Sequence, residues 1–174
     1  MSPETKAASM DTKILQQMGP WVLVTELYWM SYKLLERRFY HLGISASQAR
    51  VLGLLHFAEK PLRPSLLATL LFQETQSITG ILNRIEAHGW VRRAPDPDDR
   101  RAVSIELTPK GKEVAAEIVS ISEQLYEDLF AKAITSPERK QLDLILKKIR
   151  THGFQLSDTD FKLRRAQRYP LWSV

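Results

Sequence analysis

Residues 75–111 read Thr75-Gln76-Ser77-Ile78-Thr79-Gly80-Ile81-Leu82-Asn83-Arg84-Ile85-Glu86-Ala87-His88-Gly89-Trp90-Val91-Arg92-Arg93-Ala94-Pro95-Asp96-Pro97-Asp98-Asp99-Arg100-Arg101-Ala102-Val103-Ser104-Ile105-Glu106-Leu107-Thr108-Pro109-Lys110-Gly111. The first part has one amphipathic period. At about 100° per residue, Ile78, Ile81, Leu82 and Ile85 fall together and Gln76, Thr79, Gly80, Asn83 and Ala87 fall opposite, which predicts a helix from Thr75 to His88 that Gly89 ends. Trp90–Ala94 and Ala102–Leu107 are short and β-rich. The Pro-Asp-Pro-Asp-Asp-Arg-Arg stretch between them is turn chemistry, so the two segments predict a hairpin with a charged tip. Thr108-Pro109 then starts a new helix.

Working upstream, Pro64–Leu71 predicts a short helix, with Phe72-Gln73-Glu74 turning the chain. Ser45-x-x-Gln48 reads as a capping box for a helix whose core face is Val51, Leu52, Leu54, Leu55 and Phe57, ending at Lys60-Pro61. Gly19-Pro20 predicts a break between a short helix capped by Asp11 and a longer one that starts at Pro20 and stops near Leu42, before Gly43. The apolar line Leu23, Leu27, Met30, Leu34 keeps the helical period, but Trp21, Tyr28, Trp29, Tyr32, Phe39 and Tyr40 add bulk on other sides. A helix greasy on more than one face needs more than one neighbour, so one side is expected to meet its own domain and the other a second subunit. Downstream, Val114, Ile118, Ile121, Leu125 and Leu129 mark a helix packed on helices, and Leu142, Ile145, Leu146 and Ile149 mark a final one ending near Gly153.

Helix, short helix, helix, hairpin is the order of a winged helix-turn-helix, in which the last helix enters a DNA groove. The fold class expected is mainly α with a small β-hairpin wing, carrying N- and C-terminal dimerisation helices. The parts are a tail and dimerisation helix (1–42), the winged domain (43–109), dimerisation helices (110–153) and an arm (154–174). The arm mixes Phe161, Leu163, Tyr169, Leu171 and Trp172 with Lys162, Arg164, Arg165 and Arg168, and is expected to pack on a partner subunit.

The free face of the 75–88 helix is polar and small. Glutamine and asparagine match the N6 and N7 edge of adenine, and threonine suits a thymine methyl, so Gln76, Thr79, Gly80 and Asn83, with Ser77 and Arg84 beside them, are the candidate base readers. At the hairpin tip, Arg100 and Arg101 suit the minor groove or phosphate, and Asp99 is placed to orient the Arg101 fork. Every surface helix has a polar face; the charged hairpin that follows tips the balance toward DNA. The formal charge of +5 agrees with a polyanionic partner without deciding it.

The run Asp96-Pro97-Asp98-Asp99-Arg100-Arg101-Ala102-Val103, followed by Leu107-Thr108-Pro109-Lys110-Gly111, resembles the wing of the multiple-antibiotic-resistance regulator (MarR) family. Ser45-x-x-Gln48, Val51-Leu52, Leu67-Ala68 and Asn83-Arg84-Ile85-Glu86-x-x-Gly89-Trp90-Val91 fall at that family's intervals, so the resemblance spans about residues 44–111. It implies a homodimeric transcription regulator, a repressor, on a pseudo-palindromic site in double-stranded DNA, with an Asp-x-Arg motif at Asp99 and Arg101 and Arg101 meeting DNA. It also implies release by a small effector bound between the dimer helices and the winged domain; Trp29, Tyr32 and His56 are candidates for an aromatic or anionic ligand. Two departures stand out: Phe72-Gln73-Glu74 replaces a turn that often holds glycine and a Ser or Asp cap, and Gly80 replaces a larger polar residue.

Other classes find little support. The chain has no cysteine, so disulfides, thiolate metal sites and a thiol peroxide sensor are excluded. His41, His56, His88 and His152 lack metal-ligand spacing, and no cofactor is expected. Serines and carboxylates are plentiful, but nucleophile-elbow and phosphate-loop motifs are absent, so an enzyme reading has little to stand on. No apolar run is long enough to span a membrane, and no leader is evident, so a cytoplasmic protein is expected. The surviving rival is a winged-helix module that binds protein through the same face.

Overall fold

The computed structural model describes residues 3–99 and 101–156. Its elements are α1 (Pro3–Phe39), α2 (Ala46–Phe57), α3 (Pro64–Leu70), α4 (Thr75–Ala87), β1 (Val91–Pro95), β2 (Val103–Leu107), α5 (Pro109–Tyr126) and α6 (Ser136–Leu156). A 3₁₀ turn (Tyr40–Leu42) follows α1, and a π-helical segment (Glu127–Ala131) follows α5. This is the expected helical architecture with a two-stranded antiparallel wing.

Local chemistry sets the boundaries of the winged domain. Gly43, at φ 65°, closes the 3₁₀ turn. The capping box forms: Ser45 Oγ accepts from the Gln48 backbone N–H at 3.3 Å, and Gln48 Oε1 accepts from the Ser45 N–H at 2.8 Å. Gly89, at φ 72°, ends the α4 region and turns the chain into β1. Val91 pairs with Leu107 and Pro95 with Val103, which fixes the register. Leu62, in the α2–α3 connection, adds a two-way bridge to Ile105, with N–H···O distances of 3.1 and 2.8 Å. That bridge was not legible in the sequence and braces the wing from behind.

The core lies beneath α2, α3, α4 and the wing. Ile78, Ile81, Leu82 and Ile85 of α4 are buried against Val51, Leu52, Leu62, Leu67 and Leu70, and Ile105 and Ile118 close the cluster. Each such side chain removed from water contributes about 1.5–3 kcal/mol before the entropy of ordering is subtracted. At the root of the wing, Thr108 caps α5 by accepting from the Gly111 N–H at 3.0 Å, while its hydroxyl donates to the Gly89 carbonyl at 2.7 Å. Gly111 sits so close to the Trp90 carbonyl that an added methyl would lie 1.7 Å from its oxygen.

Four expectations need correcting. α1 runs through Gly19-Pro20 without a break; proline forfeits one ladder bond, to the Gln16 carbonyl, and the helix continues across that single gap. Phe57 is 41% exposed rather than in the core, because α2 ends there and its ring turns out against His56. The last helix continues past Gly153 to Leu156, since Phe154 is buried and stacks on Phe72 with ring centroids 6.1 Å apart. The regular turns that Leu129 was expected to extend give way to the π segment, where Asp128 bonds Arg38 of α1 at 2.7 Å and Lys132 at 2.8 Å. Those two cations, Lys132 foremost, lower the Asp128 carboxyl to about 2.

Residues 157–174, most of the proposed arm, lie outside the described residues. Among the described helices none is long and apolar enough to cross a membrane. The α3–α4 turn carries Phe72 at φ 52°, in the left-handed region where a glycine is at ease and a phenylalanine is strained.

Candidate nucleic-acid interface

The exposed polar face of α4 forms as the periodicity implied. Gln76, Ser77, Thr79, Gly80, Asn83 and Arg84 are all exposed on α4, while its isoleucines and Leu82 point inward. Apart from its chain neighbours and the helix's own backbone, nothing comes within 4 Å of the position a Gly80 methyl would occupy, so the middle of the face is open. The Thr79 hydroxyl donates to the Thr75 carbonyl at 2.9 Å, which commits its hydrogen and leaves its methyl and lone pairs to a partner. Gln76 and Asn83, seven residues apart, lie two turns apart on one line. Asn83 is not isolated: its Oδ1 accepts from Arg93 Nη2 of β1 at 2.6 Å.

The wing tip is built on an ion pair that sequence reading missed. Asp96 is buried at 5% exposure and takes a two-pronged fork from Arg63, Nε to Oδ2 and Nη2 to Oδ1, both at 2.9 Å. The same carboxylate accepts the backbone N–H groups of Asp98 and Asp99, each at 3.0 Å. The Arg63 fork, with these backbone donors, lowers the Asp96 carboxyl to about 2 and raises Arg63. Lys60 holds Asp98 at 2.7 Å. Arg63 and Asp96 are 33 positions apart, and no local pattern in the sequence pairs them.

Asp99 acts differently from the expectation. Its Oδ1 accepts the Arg101 backbone N–H at 3.1 Å, and its Oδ2 faces Arg63 at 3.8 Å, so it shapes the turn and does not grip the Arg101 fork. The physical reason is reach: two residues apart in a tight turn, a short carboxylate meets main chain first. Arg101 is exposed, and among the described residues no carboxylate pairs with its guanidinium. A shallow hollow of about 240 Å³ runs along the wing between Arg93 to Pro95 and Arg101 to Val103. Arg100 lies outside the described residues.

The candidate effector residues are only partly brought together. Trp29 and Tyr32 meet edge to face on α1 with centroids 6.1 Å apart, and Tyr28 joins them at 5.3 Å from Trp29. His56 packs on Phe57 instead. Trp29 is 60% exposed, so the cluster is an open surface within one chain. Among the described residues, no group of three or more His, Asp or Glu side chains is placed to hold a metal.

Comparison with known proteins places this geometry. The MarR family model matches residues 42–102. The multiple antibiotic resistance protein MarR of Salmonella typhimurium is 31% identical over 117 residues, 67% of this chain and 81% of that protein. The transcriptional repressor MprA of Escherichia coli is 31% identical over 133 residues, covering 74% and 75% respectively. Among solved structures, a MarR variant of Escherichia coli in complex with operator DNA superposes with a TM-score of 0.68 at 27% identity, over 78% of this chain and 96% of that one.

Proposed function

The chain belongs to the MarR family of transcription regulators, and from that premise we propose that it is a cytoplasmic repressor that binds a pseudo-palindromic site in double-stranded DNA as a homodimer. One observation carries the reading: α4 presents an exposed face of small and polar side chains, flanked by a braced wing whose Arg101 has no carboxylate partner among the described residues. Such a helix fits a major groove, with Gln76, Ser77, Thr79, Gly80, Asn83 and Arg84 at the base edges or the adjoining phosphates. Arg101 meets the neighbouring minor groove or its phosphates, Asp99 holds the turn that presents it, and Arg100 is a second candidate contact by its place in the sequence.

The second copy follows from apolar surface. Trp21, Leu23, Leu27 and Met30 of α1 and Leu144, Ile145 and Ile149 of α6 are exposed in the single chain, and α6 buries only Phe154. Surface of that kind is covered in a stable protein. A twofold pairing through these helices sets two α4 helices about 34 Å apart, one turn of B-DNA. A bound dimer over a promoter excludes polymerase. An aromatic or anionic effector that favours a different spacing of the α4 helices releases it, with Trp29, Tyr32 and His56 as candidate contacts once the partner closes over them. A similar regulator, the organohalide-sensing RdhR, has been solved with 2,4-dichlorophenol bound (26% identity, TM-score 0.68, 79% of this chain and 80% of that one). No catalytic role is assigned to any residue.

Salt dependence tests the reading. Affinity for duplex DNA should fall steeply with ionic strength, and Arg101→Ala should flatten the log–log slope by about one unit. A wild-type protein without affinity for any duplex at low salt overturns the proposal and leaves the face to a protein partner.

A further inference from the structure

Arg93 stands on β1 and reaches across to α4. Its Nη2 donates to Asn83 Oδ1 at 2.6 Å, and its Nε lies 3.5 Å from Glu86 Oε2. A guanidinium has five donors and no acceptor, so the Asn83 atom it meets has to be the carbonyl oxygen. That fixes the sense of the amide, with both N–H groups turned away from Arg93. Glu86, three residues along the same helix, pairs with the same guanidinium, so two α4 side chains hold Arg93.

The consequence is chemical. An unrestrained asparagine gives one donor and one acceptor, the match for adenine. Arg93 takes one of the two lone pairs of Oδ1, and its charge disfavours a second donor at the same oxygen, so Asn83 turns its N–H groups to a partner first. In the major groove guanine presents N7 and O6 and thymine presents O4, all acceptors, whereas adenine sets an amino group beside its N7 acceptor and cytosine presents an amino group alone. Cytosine then gives the Asn83 N–H groups no partner, and adenine gives them one, while its amino group must share an oxygen already held by Arg93; a donor left without a partner away from water is the costly arrangement. We propose that Arg93 is a specificity-determining residue that makes Asn83 read chiefly through its donors, favouring keto bases (guanine or thymine) over amino bases (adenine or cytosine). This rests on the DNA-binding reading above.

The test is selection from a pool of duplexes with randomised positions, using the wild type, Arg93→Met, which keeps an apolar stem without the donor, and Arg93→Lys, which keeps a donor. Each is run with Asn83 intact and as Asn83→Ala, which marks the base pair that Asn83 reads. The wild type should enrich guanine or thymine there by about tenfold over adenine and cytosine. Arg93→Met should move the preference to adenine, and Arg93→Lys should retain the keto preference. Arg93→Ala repeats the first substitution should Arg93→Met pack poorly. A keto preference that survives Arg93→Met, adenine chosen by the wild type, or no position that responds to Asn83→Ala overturns the inference while leaving DNA binding in place. Binding of the unselected pool at low salt, measured first, separates these results from loss of DNA binding itself, which would sink both readings.

Discussion

Two glycines on neighbouring helices should answer the same substitution with opposite signs. At Gly111 a methyl group would lie 1.7 Å from the Trp90 carbonyl oxygen and 2.7 Å from its carbon. Ordinary C···O contact is about 3.3 Å, so the carbonyl has to retreat by about 1.5 Å. It accepts from the Thr108 N–H at 3.0 Å and from the Thr108 hydroxyl at 3.3 Å, and a displacement of that size loses both. Two bonds at about 0.5–1.5 kcal/mol each, plus about 1–3 kcal/mol for overpacking, outweigh the gain of up to about 1 kcal/mol from alanine's helix propensity. Gly111→Ala should therefore destabilise by about 3 kcal/mol. At Gly80 nothing stands within 4 Å, and Gly80→Ala should stabilise by about 0.5–1 kcal/mol. Urea unfolding read at one fixed protein concentration, since a dimer's midpoint moves with concentration, measures both through the midpoint at constant m-value. Gly111→Ala unfolding at or above the wild-type midpoint would refute the close approach at the root of the wing.

Phe72→Gly relieves the left-handed strain, about 1–2 kcal/mol, and loses a stacked ring worth about 0.5–1.5 kcal/mol, so it should leave the midpoint within about 1 kcal/mol of wild type, whereas Phe72→Ala keeps the strain and should unfold earlier. The Asp96 carboxyl is lowered from 3.8 to about 2, so the folded state holds its proton more weakly than the unfolded chain; the stability it contributes is present above pH 3.8 and is lost as pH falls through about 2. Asp96→Asn should therefore erase a wild-type advantage that is constant from about pH 5 to 8 and shrinks below that, as followed by denaturant midpoints across pH. Ile149→Glu, on the exposed face of α6, should halve the mass seen by sedimentation without loss of helical circular dichroism.

What the sequence disclosed and what it hid divide by range. The Ser45–Gln48 box, the Gly89 stop, the four apolar residues of α4 and the hairpin all rest on neighbours within a few positions, and each formed where the spacing put it. The Leu62–Ile105 bridge and the Arg63–Asp96 fork join residues more than 30 positions apart, and no local pattern marks such pairs. Pro20 misled because a breaker signal records one lost bond and says nothing of the helix on either side. Gly153 misled for the complementary reason: a partner for Phe154 exists only in three dimensions. On the readout face, periodicity exposed Asn83, but only the cross-element contact with Arg93 shows which of its atoms turns to a ligand first.

The Phe72–Phe154 stack ties the two ends of the molecule's working parts into one linkage. Phe154 closes the helix whose outer surface is otherwise bare, and Phe72 sits three residues ahead of Thr75, where α4 begins. Any sliding of the last helix must drag that ring along or tear it loose, and either event tilts the base from which α4 projects. A slip of an ångström in the last helix would thus reach the base of α4 as a change of angle, with the stacked phenyl rings as one route for it.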